Sequence, residues 1–254
     1  MPSPLGAHSA RLRDVRELRR KKGRVEKGRY IIEGPTLVAE AIRSRVKLLE
    51  AYATRDALGR YAETRVLEGA VPLYELDESS FSRISEVESP TGILAVAETP
   101  EMPLAPLFAD ATPVLILAGI GDPGNAGTLL RSAESFGVTK VLFADDSVEP
   151  QNPKVVRSAM GSLFRTALGL GTAGETAPLL AGWTVRGLRA GATPLDRLPT
   201  RKKLALVIGS ERQGLGAWEA LCTEFGGIPM RGAAESLNAA VAGSIALYEL
   251  AKGL

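Results

Sequence analysis

The stretch Pro113-Val-Leu-Ile-Leu-Ala-Gly-Ile-Gly-Asp-Pro-Gly-Asn-Ala-Gly-Thr-Leu-Leu-Arg131 decides the fold. Val114–Ala118 is an unbroken apolar run of strand length, the pattern of a strand covered on both faces. A glycine-rich turn follows, and Thr128–Phe136 reads as a helix. The same alternation continues toward the C-terminus. Val141–Ala144, Thr184–Leu188 and Leu204–Ile208 read as strands, with helical patterns between them. Apolar strands separated by helices predict an α/β domain with a parallel sheet over residues 113–254.

Toward the N-terminus, Pro100, Pro103, Pro106 and Pro113 mark residues 99–112 as a linker. Before it, residues 28–98 read as a second, smaller α/β domain. Its strands are Tyr30–Ile32, Lys47–Ala53, Val71–Leu76 and Gly92–Ala97. Its helices start at Gly34-Pro35 and cover Ala57–Leu67 and Ser79–Ser85. Residues 1–27 form a basic arm, with Leu12, Val15 and Leu18 at helical spacing over 11–22.

Composition excludes several kinds of chemistry. Among 254 residues there is one cysteine, Cys222, and one histidine, His8 in a Pro/Ser/Gly-rich tail. A disulfide framework, a Cys/His zinc site and a Ser-His-Asp triad are therefore excluded, and no metal is expected. No apolar run reaches the roughly 18 residues of a membrane span, and no signal peptide opens the chain, so a cytoplasmic protein is expected. The net charge is only +2, but it is uneven. Residues 11–29 carry ten basic and three acidic side chains, a net of +7 on a remainder of −5. Such an arm predicts a polyanionic partner, above all nucleic acid.

Three loops carry candidate chemistry. In the first, Gly119, Gly121 and Gly124 fit a dinucleotide fingerprint, with Asp145 and Asp146 at the end of the next strand as the ribose-binding acid. Pro123 removes an N–H from that turn, and Asn125 and Arg131 look aimed at a ligand. The second is Gly209-Ser-Glu-Arg-Gln-Gly-Leu215, directly after the strand Leu204–Ile208; its Glu211 suits a helix cap or a ligand contact. The third runs from Ile228-Pro-Met230 to Ser236-Leu-Asn238, with Ser236 as a natural N-cap of an Ala/Gly-rich helix apolar on almost every side.

Taken together and in this order, the loops resemble the SpoU (TrmH) branch of the SPOUT RNA methyltransferases. Asp122-Pro-x-Asn125-x-Gly127-x-x-x-Arg131, Gly209-Ser-Glu211-x-x-Gly-Leu215, and Ile228-Pro-Met with Ser236-Leu-Asn238 match its three motifs. Arg157-Ser-Ala-Met-Gly-Ser162 resembles a family segment between the first two. Arg29-Tyr-Ile-Ile-Glu-Gly34 resembles the L30e-like substrate-binding domain of the ribosomal-RNA members. The resemblance implies a trefoil-knotted methyltransferase domain, an obligate homodimer, and S-adenosylmethionine as methyl donor with S-adenosylhomocysteine as product. The reaction it implies is methylation of a ribose 2′-hydroxyl, in large-subunit rRNA rather than tRNA.

By the same resemblance Asn125, Arg131, Glu211, Ser236 and Asn238 line the reaction site, while Gly209, Ser210, Ile228, Met230 and Leu237 hold the donor. Arg11, Arg13, Arg16, Arg19, Arg20, Lys21, Lys22, Arg24, Arg29 and Arg157 are the expected RNA contacts. The resemblance casts Arg131 as activating the 2′-hydroxyl. A guanidinium with a pKa above ~12 is better suited to stabilising negative charge. Two rivals are a nicotinamide-dependent oxidoreductase built on Gly119–Gly124 and a non-catalytic RNA-binding module of the same fold.

Overall fold

The computed structural model describes residues 2–6, 9–144, 146–233 and 236–253. His8 and Asp145 lie outside them. The chain divides into two compact units: residues 1–100 with 151–164, and residues 101–150 with 165–254.

In the first unit the basic arm is part of the core. Ser9 caps α1 (Ala10–Glu17) by accepting a hydrogen bond from the Arg11 N–H. The predicted single helix over 11–22 is two, because α1 ends at a turn and α2 (Lys21–Lys27) starts anew. Leu12, Val15 and Leu18 are buried in one cluster with Ile31, Tyr52, Phe81, Ile84 and Leu94. The sheet they cover contains β1 (Ser3–Pro4), β2 (Arg29–Glu33), β3 (Leu48–Thr54), β4 (Leu73–Leu76) and β5 (Ile93–Glu98), in the order β1-β4-β3-β5-β2. β3 pairs parallel with β4 and antiparallel with β5, which in turn pairs antiparallel with β2. The helices are α3 (Pro35–Arg43), α4 (Arg55–Arg60), α5 (Ala62–Ala70) and α6 (Glu78–Ile84). The expected helix over Ala57–Leu67 breaks at Tyr61, whose backbone is extended and whose carbonyl accepts from the buried Thr64 hydroxyl.

The second unit is a six-stranded, wholly parallel sheet. It comprises β6 (Val114–Ala118), β7 (Lys140–Ala144), β8 (Ala167–Gly171), β9 (Thr184–Pro194), β10 (Leu204–Gly209) and β11 (Glu224–Gly227), ordered β11-β9-β10-β6-β7-β8. The helices of this unit are α7 (Pro123–Ser135), α9 (Ala173–Thr176) and α10 (Ala239–Ala251); α8 (Pro153–Ser158) belongs to the first unit. The Pro-rich residues 101–112 are drawn onto the second unit: Leu107 is buried, and Phe108 meets Trp183 edge-on.

The strand order reverses between β6 and β10. From β6 the chain runs to β7 and β8 on one side, then returns to β9 on the other, and β10 inserts beside β6. Ligand crevices of parallel sheets form at such a point, beyond the carboxyl ends of the strands. α7 starts five residues before the predicted Thr128, because Pro123 suits the first helical position and Asp122 caps the helix by accepting the Asn125 N–H at 2.8 Å. α10 packs against α7 through a 2.7 Å hydrogen bond between Ser132 Oγ and Ser244 Oγ.

If the arm is core rather than tail, Leu18→Ala should cost about 2–5 kcal/mol in denaturant unfolding. A loss below about 0.5 kcal/mol, the value for an exposed position, would show that the arm is not integral.

Candidate active site

After β10 the chain turns back on itself. Ser210 and Gly214 exchange backbone hydrogen bonds of 3.0 Å each, and the Gln213 N–H donates to Ser210 Oγ at 3.1 Å. A Cβ on Gly209 would lie 2.2 Å from the Gly214 carbonyl oxygen, so only glycine fits the base of this loop. The loop carries Glu211 to the start of α10.

Glu211 Oε1 accepts three hydrogen bonds: from Asn125 Nδ2 at 3.0 Å, from Asn238 Nδ2 at 3.2 Å and from the Ala239 N–H at 3.1 Å. Asn238 Nδ2 also donates to Asn125 Oδ1 at 3.0 Å. One carboxylate oxygen thus joins side chains 86 and 27 residues away in sequence. Asn238, not Ser236, caps α10, its Oδ1 accepting the Ala240 and Val241 N–H groups. Both residue types cap well, so Ser-Leu-Asn does not by itself fix the helix start.

Beside this network opens a cleft of about 310 Å³. Of the predicted donor residues, Gly209, Ser210, Ile228, Met230 and Leu237 all line it, as do Glu211 and Ser236 of the predicted reaction site. Asn125 and Asn238 join it through Glu211. Arg131 does not: it is exposed on α7, roughly 9 Å along the helix and about 120° around it from Asn125. Sequence reasoning missed Leu188, Arg189, Ala190, Glu219 and Gly226, which also line the cleft. Three of them lie where the predicted strand Thr184–Leu188 ends. The rule that ligands bind at the carboxyl ends of parallel strands could have found them.

The first loop uses its own N–H groups internally. Gly119 donates to Asp146 Oδ1 at 2.9 Å, and Ile120 donates to Ser147 Oγ at 3.1 Å. Asp146 therefore ties down the loop instead of meeting a ribose, and Pro123 occupies the helix start. Asp146 and Pro123 thus give the dinucleotide reading no support, and Asp145, its other acid, lies outside the described residues. Cys222 follows directly on the 3₁₀ turn Gly216–Leu221. It is half-buried, and desolvation pushes its thiol up to about 11, so it is no nucleophile near neutral pH. Among the described residues no His/Cys/Asp/Glu group could hold a metal ion, and no helix is long and apolar enough to cross a membrane.

The basic residues have divided duties. Arg13, Arg16, Arg19 and Arg20 line a groove with Glu17 and Glu86 in the first unit. Arg19 faces Glu86 at 3.6 Å, and Lys22 faces Glu26 at 3.7 Å. Arg11 binds the buried Glu50 and lies 4.8 Å over the Tyr74 ring, so it fixes α1 to the sheet. Arg24, expected on RNA, is instead buried: its Nη1 donates to the Leu18 carbonyl at 2.8 Å and closes the turn between α1 and α2. Arg29 is exposed on β2, Lys21 is exposed at the start of α2, and Arg157 is half-buried on α8.

Residues 112–248 match the model of the SpoU rRNA methylase family, and residues 9–95 match an MRM3-like substrate-binding domain. A 23S rRNA (guanosine(2553)-2′-O)-methyltransferase of Bacillus subtilis is 33% identical over 252 residues, covering 96% of this chain and 97% of its own. The SpoU methyltransferase AviRb of Streptomyces viridochromogenes, solved in complex with the cofactor AdoMet, superposes with a TM-score of 0.86 at 25% identity, over 96% of this chain and 98% of its own. A solved RNA 2′-O ribose methyltransferase superposes with a TM-score of 0.81 at 26% identity over 100% and 99%. The α/β fold, with its cleft beyond the parallel strands, is that of a methyltransferase, and the chain belongs to the SpoU rRNA methylase family.

Because the obstruction at Gly209 is backbone, Gly209→Ala should cost roughly 1–3 kcal/mol of unfolding free energy. Unchanged denaturant stability would show that the loop does not need this close approach.

Proposed function

We propose that this chain transfers the methyl group of S-adenosylmethionine to a ribose 2′-hydroxyl of 23S rRNA. The hydrogen-bonded union of Asn125, Glu211 and Asn238 at the cleft carries this reading. Two of the proteins named above are 2′-O-methyltransferases, and the one from Bacillus subtilis, which matches this chain over nearly its whole length, acts on 23S rRNA, which favours rRNA over tRNA.

The cleft fits a nucleoside sulfonium. It is large enough for a small ligand, and Leu188, Ile208, Leu215, Ile228 and Leu237 give it an apolar wall beside a few charged groups. S-adenosylmethionine, when bound, supplies a methyl group on a positively charged sulfur, open to in-line displacement. The protein must then orient the hydroxyl and take its proton.

Asn238 is saturated: its amide donates twice and its carbonyl accepts twice. Asn125 keeps one N–H and one lone pair, enough to orient a ribose hydroxyl. Glu211 Oε1 is fully engaged, whereas Oε2 accepts from none of the described residues and lies free to receive the hydroxyl proton. Ser236 lines the same cleft, where its hydroxyl can meet the ribose.

Arg131 stabilises the developing negative charge or an adjacent phosphate. It stands off the network of its own chain, and the homodimer lets it serve a site completed by a second copy. α10 supports that assembly, with Val241 and Tyr248 about half exposed on an otherwise apolar helix. The trefoil knot belongs to the same proposal, as does a cytoplasmic location, where rRNA is modified. The first unit, with the basic helices and Arg157, holds RNA; the second holds the donor.

Incubation with radiolabelled S-adenosylmethionine should label 23S rRNA at one alkali-resistant position, and Arg131→Ala should abolish the signal. Label in tRNA alone would overturn the substrate class. Label that leaves every linkage alkali-sensitive would overturn ribose methylation. Arg131→Lys with near-wild-type turnover would refute the need for a guanidinium. Removing Arg13, Arg16 and Arg20 together should lower the slope of log K against log salt by roughly 2–3. An unchanged slope would remove the groove from the RNA path.

A further inference from the structure

β9 leaves its ladder beside the cleft. Gly187 pairs with Phe225 of β11, and the next pair in register is Thr193 with Gly226. Leu188–Ala192 therefore stand out of the ladder, with Gly191 at φ +73°. The excursion lies close against β11: a Cβ on Gly227 would come within 2.7 Å of the Ala192 oxygen and 3.0 Å of the Arg189 oxygen. Irregularities of this kind re-aim side chains next to sites. Here the excursion places Leu188, Arg189 and Ala190 on the cleft wall.

Arg189 has two partners. Its Nη2 donates to Glu219 Oε1, and its guanidinium carbon lies 3.6 Å from the Phe225 ring centre. Glu219 also lines the cleft, from the turn Gly216–Leu221. A guanidinium has five N–H groups, and the Glu219 contact leaves several to donate; Glu219 keeps a second oxygen to accept. The pair thus sets hydrogen-bond donors beside an acceptor, the complement of a zwitterionic α-amino acid. The remaining charged group of the lining is Glu211, already engaged with Asn125 and Asn238. One cation and two carboxylates in the lining mirror the two cations and one carboxylate of S-adenosylmethionine.

We propose that Arg189 and Glu219 bind the amino-acid end of the methyl donor. The guanidinium takes its carboxylate and Glu219 takes its ammonium, leaving the nucleoside to the apolar wall. The inference rests on reading the cleft as the methyl-donor site.

The test is calorimetry on the full chain with two ligands. S-adenosylhomocysteine carries the amino-acid end, and 5′-methylthioadenosine is a similar nucleoside thioether without it. In Arg189→Ala and in Glu219→Gln, affinity for S-adenosylhomocysteine should fall about tenfold or more, while that for 5′-methylthioadenosine stays within about twofold. Retained binding of the nucleoside also shows that the variants are folded. Equal losses for both ligands, or no loss for either, would overturn the assignment. A wild-type protein that binds 5′-methylthioadenosine but gains nothing from the amino-acid end would overturn it while leaving the cleft's reading intact. Binding of neither ligand by the wild type would overturn that reading and the inference together.

Discussion

One carboxylate oxygen organises the second unit's site. Glu211 Oε1 draws together the first turn of α7, the loop after β10 and the first N–H of α10. A carboxylate at a helix N-terminus is favourably placed against unpaired N–H groups and the positive end of the helix dipole. The loop that carries it survives only because Gly209 allows the Gly214 carbonyl to approach. The sheet supplies the setting, since the reversal of strand order puts the ends of β6 and β10 side by side. Remove the carboxylate, and two amides and a helix start lose their common acceptor.

The apolar strands Val114–Ala118, Val141–Ala144 and Leu204–Ile208 were legible because strands buried on both faces carry no competing pattern. β8 and β11 escaped because Ala167–Gly171 and Glu224–Gly227 each carry two glycines, which break the apolar run. The start of α7 was read too late, since the glycines and proline of its first turn look like a loop until Asp122 is seen to cap it. The cleft residues Gly209, Ile228 and Leu237 were legible through motifs. Arg189 and Glu219 were not, because an excursion from a parallel strand and a short 3₁₀ turn leave no periodic signal.

Charge patterning was legible only in sum. The ten basic side chains of residues 11–29 do not act alike once folded. Arg11 and Arg24 stabilise the arm against the first unit, and Lys27 bridges Asp14 and Glu17 at 3.0 Å each. Arg13, Arg16 and Arg20 remain on the groove surface. A run of basic residues thus divides into packing partners and side chains left on the groove surface, a division that depends on which side of α1 faces the core and is invisible to net charge.

The most direct measurement is a double-mutant cycle on methyl transfer, with Asn125→Ala, Glu211→Ala and Asn238→Ala made singly and in pairs. Residues that act as a unit are strongly non-additive. A single network predicts that each pair loses about as much activity as its more damaging member alone. Losses that simply multiply would mean that Glu211 does not bind the three loops into one site.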